Sequence, residues 1–388
     1  MTTSVDDQLS STEQAAVDDA IRFAAECVQP LAETWERDRR FGHEAFDQLA
    51  PAGLAALVVP SELGGRGLGS VALARVLEEL AAVDLAAAFS AVVHNNMARA
   101  VATSDNPVLR RDLLPRLIAG EVVGAFLLTE PGVGSDAAAI TTRAERDGDY
   151  WVISGEKAWV TNASHAGALN VYATTDPAAG HRGIVSIVVD PAAPGVTRTE
   201  PYELHGGHAM GTGGFRFDRV RVPVDQTLAP VGQAFAAAMV GIDLARVVVA
   251  AMCCGMLRTA LDTAVRHTAD RPLFGATVAD HQGVRWMLAD VATDREAARL
   301  LTFRAARLLQ DGTDRAKATT MAAHAKKFAS RVADARIADC MQVMGAAGYR
   351  RGPDNPLPRH LAAARLTGYI DGATEIQNVV IARGLWPA

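Results

Sequence analysis

The sequence predicts an α+β multidomain protein, helical at both ends with a β-domain between. Two observations carry this. Residues 11–120 and 231–388 place apolar residues at helical spacing, whereas residues 121–230 alternate and turn often. A chain of 388 residues is also too long for one core and suggests two or three domains. The expected divisions are an N-terminal α-helical domain (1–120), a middle β-domain (121–230) and a C-terminal helical bundle (231–388).

Ser11 or Thr12 suits the cap of a first helix carrying Ala15, Val17, Ile21, Phe23, Ala24 and Val28, which Pro30 would kink or end. The glycine-rich stretch VVPSELGGRGLG reads as a connector. A helix from about Ser70 to Asp84 follows, then another around Ala91 to Ala102 that carries His94 and Asn95, read as satisfied polar residues near a domain seam. At Glu121 the texture changes. Val, Ile, Tyr and Thr rise while Gly, Asp and Pro punctuate, as in DGDYWVISG and GIVSIVVD, which is a run of short strands. Helical periodicity then runs from Gly241 to Arg271, and two further long helices complete a bundle.

Composition narrows the function. Hydrophobic residues make up 49%, and the net charge of -6 leaves no footprint for nucleic acid. Cys27, Cys253, Cys254 and Cys340 show no CxxC spacing; they read as buried thiols in a reducing compartment, with no metal site. The acidic, polar start MTTSVDDQLSSTEQ is neither a signal nor a transit peptide, and the apolar run Val247 to Leu257 is too short to cross a bilayer. A soluble cytoplasmic protein is expected.

Two motifs organise the chain. Residues 126–136, FLLTEPGVGSD, end an apolar run in a glycine-rich turn; residues 155–162, GEKAWVTN, set Trp159 and Thr161 in alternation with Ala158 and Val160. A strand would put Trp159 and Thr161 on one face. An aromatic plate beside a hydroxyl suits a flat, polar-edged heterocycle, although Trp159 also suits a core. Later come RPLFG (Arg271, Phe274, Gly275) with Gln282, then CMQVMGAAGYR, PLPRHLAAAR and YIDGATEIQN. Arg271 alone would pass for an arginine at a helix C-terminus, and Asp371 alone for a helix N-cap. Asp243 and Arg246 stand at i, i+3 on a helix, a simple ion pair by spacing.

Taken in order, these motifs resemble the acyl-CoA dehydrogenase flavoproteins, over nearly all of the chain. The resemblance implies a helical domain, a middle β-barrel-like domain and a helical bundle, with FAD at their seam. It implies that Phe126, Thr129, Ser135, Trp159 and Thr161 contact the flavin from the β-domain, Phe126 standing where many relatives have Tyr. Arg271, with Phe274 and Gln282, would reach the FAD pyrophosphate of a neighbouring subunit. Gln342, Gly345 and Ala346 match a dinucleotide-contacting segment in which Ala346 replaces a glycine. Ala373 and Glu375 replace a Thr and a Gln near the cofactor. Asp371 occupies the position of the catalytic glutamate. Ala245, at the alternative base position of some relatives, cannot serve. Ser135, Asp243, Arg246 and Gly372 fall on the substrate side, with Arg246 buttressing the catalytic loop. In PLPRHLAAAR only Arg359 survives from a charged cluster, so an ion-pair network is missing or rebuilt.

The implied reaction is α,β-dehydrogenation of an acyl thioester on CoA or a carrier protein. Electrons would pass to an electron-transferring flavoprotein or a similar acceptor, and the implied assembly is a homotetramer, a dimer of dimers, serving fatty acid metabolism. The departures around Asp371 leave open a flavin oxidase or monooxygenase on the same fold, and a non-catalytic partner subunit.

Overall fold

The computed structural model describes residues 9–386. Helix α1, Ser11–Phe23, is capped one residue earlier than expected, by Ser10. The Ser10 hydroxyl accepts from the Glu13 amide at 3.3 Å, and the Glu13 carboxylate accepts from the Ser10 amide at 2.9 Å. A π-turn, Ala24–Val28, carries the helix to just before Pro30. Helices α2, Ser70–Val83, and α3, Leu85–Thr103, meet at Asp84, whose carboxylate accepts from the Ala87 amide at 2.8 Å. That cap starts α3 six residues before the expected Ala91. His94 and Asn95 are satisfied within the fold: His94 bonds the Leu117 carbonyl (3.0 Å) and the Gly124 amide (3.2 Å), and Asn95 accepts from Leu57 and donates to Leu54.

The strands are β1 (Gly124–Leu127), β2 (Arg143–Asp147), β3 (Tyr150–Val160), β4 (Ala168–Thr174), β5 (Ile184–Val189), β6 (Val196–Arg198), β7 (Gly213–Pro223) and β8 (Thr227–Ala229). They pair in the order β6-β7-β3-β2-β4-β5-β8, with β1 parallel to β4. Leu127, Ile153, Val171, Ile187, Phe215 and Phe217 fill the core of this sheet. The β3–β7 ladder breaks register between Ile153 and Gly155 and again between Lys157 and Val160.

The C-terminal helices are α4 (Ala234–Asp270), α5 (Gln282–Asp311), α6 (Arg315–Val343), α7 (Leu357–Thr367) and α8 (Thr374–Leu385). One apolar core joins α4, α5, α6 and α7 to α1, α2 and α3. Gly255 lets α2 and α4 approach: a Cβ there would lie 2.0 Å from the Glu78 carbonyl oxygen. By length and apolar composition α4 reaches what a membrane crossing needs, but 67% of its apolar window is buried inside the fold. Cys253, Cys254 and Cys340 are buried as expected, whereas Cys27 is only half-buried.

Candidate active site

The two organising motifs are tied together by a buried ion pair. Lys157 Nζ lies 2.8 Å from Glu130 Oε1 and donates to the Leu128 carbonyl at 3.0 Å; neither side chain is more than 3% exposed. Glu130 also accepts from the Thr141 and Thr142 amides at 2.7 and 2.9 Å. Burial alone would raise the Glu130 carboxyl, but Lys157 and the surrounding donors outweigh it and hold it at about 2. Burial pulls Lys157 down to about 8.

The clasp sits directly before Trp159. Burial does alternate there, with Ala158 and Val160 in, Trp159 exposed and Thr161 half-buried. The regular strand expected through both Trp159 and Thr161 does not form. Trp159 lies at the bulge with φ 58°, and β3 ends at Val160. A left-handed backbone at a bulky residue is strained, and strain of this kind gathers at functional sites. The indole is 60% exposed, edge-on to Tyr202 at 4.9 Å. It is therefore a surface plate and not core. Asn162 follows, fully buried. It donates to the Ser90 and Gly124 carbonyls at 3.1 and 3.0 Å, fixing this edge of the sheet to α3. Thr129 is half-buried; Ser135 is exposed in an open loop where a Cβ on Gly132 or Gly134 would meet nothing within 4 Å. Phe126 packs on Tyr172 at 5.0 Å between ring centres.

A second cluster surrounds Asp371. The residue does not cap α8: that position is Ala373, which has no side-chain cap, and Asp371 instead takes a left-handed backbone with φ 50°. Gly372 follows at φ 90°, where a Cβ would lie 2.9 Å from Gln377 Nε2. Two successive residues with positive φ turn the Asp371 side chain inward, and its Oδ2 is buried without a hydrogen bond. Burial pushes this carboxyl up to about 6, against the pull of Lys326 and Arg246. Arg246 donates to Asp243 Oδ1 at 2.8 Å, and Asp243 Oδ2 accepts from Thr319 Oγ1 at 2.6 Å. Lys326 Nζ and Gln377 Nε2 both donate to the Gly372 carbonyl at 2.7 Å. A small, mostly apolar cavity opens between α2, α3 and α4, lined by Leu73, Leu77, Val92, Leu244, Ala245 and Val248 together with Asn95 and Asn96. Ala373 is half-buried and Glu375 exposed.

The structure does not bring the remaining site residues to either cluster. Arg271 ends α4 exposed, leading into a hairpin, Pro272–Leu273 with Ala276–Thr277. Phe274 and Gly275 form its turn with φ 49° and 81°, and Phe274 is 92% exposed at the tip. Gln282, Gln342, Gly345 and Ala346 are exposed as well. Gly345 carries the unusual backbone, φ 59° and ψ -142°, while Ala346 starts a short helix with ordinary geometry. Arg359 pairs with Asp84 at 2.9 Å and Glu33 at 3.3 Å.

Two residues of these clusters escape a sequence reading, Lys157 and Lys326. Lys326 is legible in hindsight, because it interrupts the buried stripe Ala322, Ala329, Ala333 at i-4, i+3 and i+7.

Family models for the N-terminal, middle and C-terminal domains of acyl-CoA dehydrogenase match residues 10–121, 125–220 and 232–386. The mitochondrial short-chain specific acyl-CoA dehydrogenase of Bos taurus is 35% identical over 382 residues, 97% of this chain and 90% of the relative. Butyryl-CoA dehydrogenase from Megasphaera elsdenii superposes with a TM-score of 0.92 at 29% identity, covering 99% of this chain and 100% of its own. A chain solved in work on the electron transferring flavoprotein of Acidaminococcus fermentans superposes with a TM-score of 0.92 at 31% identity, covering 98% of this chain and 99% of that one. The chain belongs to the acyl-CoA dehydrogenase family and is an oxidoreductase of that kind.

Proposed function

We propose that this protein removes the α- and β-hydrogens of a short acyl-CoA thioester, with Asp371 as the base. The observation that carries the reading is the Asp371 carboxyl, whose Oδ2 is buried without a hydrogen bond and which burial raises to about 6 against the pull of Lys326 and Arg246. Bound FAD supplies the acceptor for the electron pair that leaves with the β-hydrogen. The α-hydrogen leaves as a proton to ionised Asp371, and the carbon–carbon double bond forms between the two positions. The rate of flavin reduction therefore rises with pH through about 6, as the base ionises.

The residues fit the cofactor. An exposed indole and the open Thr129–Ser135 loop suit the flavin ring, and the exposed Arg271, Phe274, Gln282 and Gln342–Ala346 groups suit the dinucleotide tail of a neighbouring subunit. A Phe at a hairpin tip in a left-handed turn favours a partner that covers it. The reading is thus of a cytoplasmic homotetramer with units 1–120, 121–230 and 231–388. Its electrons pass to an electron-transferring flavoprotein, which agrees with the Acidaminococcus likeness.

Anaerobic titration of the purified protein with short, branched and aromatic acyl-CoAs tests the reaction. Bleaching of the oxidised flavin band by butyryl-CoA is expected. Product that forms only with oxygen, without anaerobic bleaching, would mean an oxidase instead. Replacement of Trp159 by Ala weakens FAD retention by roughly 3- to 10-fold, the worth of an aromatic stacking contact. Titration of the apoprotein with FAD reads this, and an unchanged affinity would remove Trp159 from the cofactor site. Chain length is read by Leu244→Ala, which deepens the apolar cavity. It raises kcat/KM for acyl chains one or two carbons longer by about 10-fold relative to wild type, since a methylene in a fitted pocket is worth 10-fold or more. An unchanged chain-length profile would place the acyl group elsewhere.

A further inference from the structure

The turn that carries Asp371 is reached from another helix by a buried lysine. Lys326 is 1% exposed on α6, and its ammonium donates to the Gly372 carbonyl at 2.7 Å. The hydrogen bond alone does not account for a lysine at this place. Gln377, fully buried, already donates to the same oxygen at 2.7 Å. A second neutral donor, or an apolar side chain, would avoid the cost of burying an ammonium. What the lysine adds is charge.

The groups around that charge come from three elements. Arg246 and Cys253 face it from α4, Asp371 from the turn and Glu375 from the start of α8. Arg246 is matched by Asp243 at 2.8 Å. Burial pushes the Cys253 thiol up to about 11, so it is neutral. Glu375 is exposed to solvent and screened. Asp371 is left as the buried carboxylate that the Lys326 charge meets.

We propose that Lys326 is the positioning residue of the base: it pins the left-handed Asp371–Gly372 turn through the Gly372 carbonyl and keeps the Asp371 carboxylate ionised. The inference rests on the reading of Asp371 as the base. Asp371 lies at about 6 with the Lys326 charge present, and that charge pulls its value downward. Without the charge, burial goes less opposed and the base is protonated over more of the neutral range.

The test is the pH profile of anaerobic flavin reduction in the FAD-loaded enzyme, using butyryl-CoA as the probe. Lys326→Gln keeps a donor for the Gly372 carbonyl and removes the charge. Lys326→Met removes both. Each is expected to move the midpoint of the profile upward by about one unit or more, the size of an opposite-charge effect at close range. Lys326→Met is expected to slow the reaction further, by at least about 10-fold at neutral pH. Gln377→Leu takes away the other donor and leaves the charge, so its rate falls while its midpoint stays. Flavin content reports whether each variant is folded, and Lys326→Gln carries the test if Lys326→Met loses FAD. A wild-type midpoint in flavin-loaded Lys326→Gln overturns the proposal. The base assignment fails separately, if Asp371→Asn reduces flavin at the wild-type rate.

Discussion

Replacing Asp371 with Asn slows flavin reduction by at least the roughly 10²-fold that a general base contributes, while FAD stays bound. Asn keeps the shape of the side chain and suits the left-handed backbone at φ 50°, so the turn is preserved. What disappears is the proton acceptor. Asp371→Glu keeps measurable reduction, because the carboxylate is retained on a longer arm, and its chain-length preference shifts as the thioester adjusts. Stability changes in the opposite direction. The folded-state value of about 6 lies above the usual 3.8, so the contribution of this group is present in full at low pH and lost as pH rises through 6. At neutral pH the ionised, buried carboxylate destabilises the fold. Asp371→Asn is therefore expected to melt higher than wild type at pH 7 and to lose that advantage near pH 4. Stopped-flow reduction and thermal melts at both pH values read the two effects. If the Asn variant bleaches as fast as wild type, the proton goes to another group.

The sequence made much of this arrangement legible, and the exceptions have physical causes. The change from helical to alternating texture at Glu121 falls between the helix Leu114–Ile118 and β1. The start of α4 was harder to read. Gly241 looks like a boundary, because glycine disfavours helix by about 1 kcal/mol relative to Ala. Yet it lies inside the helix, where a Cβ would press on the Arg99 guanidinium at 3.2 Å. Asp371 illustrates a different limit. Aspartate before Gly-Ala-Thr-Glu is a good N-cap pattern, but Lys326, 45 residues upstream, and Gln377 bind the turn in another conformation. Gln377 lies within YIDGATEIQN, but nothing local in that stretch encodes the contact from Lys326. The bulge at Trp159 has the same origin. Lys157 must reach Glu130 across the motif, and the strand gives up its register between Lys157 and Val160.

That clasp supports the second large effect. Lys157→Met leaves Glu130 buried with its strongest counter-charge gone. Breaking a buried pair in this way costs about 3–5 kcal/mol, because the remaining charge is uncompensated. A loss of that size lowers the melting temperature by several degrees. The pH dependence identifies the cause. In the wild type Glu130 is held at about 2, so its contribution is present above the ordinary carboxylate value and is lost only as pH falls through 2. In the variant, burial prevails and raises Glu130 above its ordinary value. The gap between wild type and variant is then largest at neutral pH and narrows as pH falls towards 4, where Glu130 takes up a proton. The double variant Glu130→Gln/Lys157→Met recovers most of the loss, since neither buried charge remains. FAD retention should fall along with stability in the single variant, because the clasp sets the backbone that presents Trp159 and Thr129. Melting curves at pH 7 and pH 4, with flavin content measured on the same samples, decide the matter. A single variant that melts with wild type at pH 7, or a gap that widens as pH falls, would show that the Glu130–Lys157 pair does not hold the two motifs together.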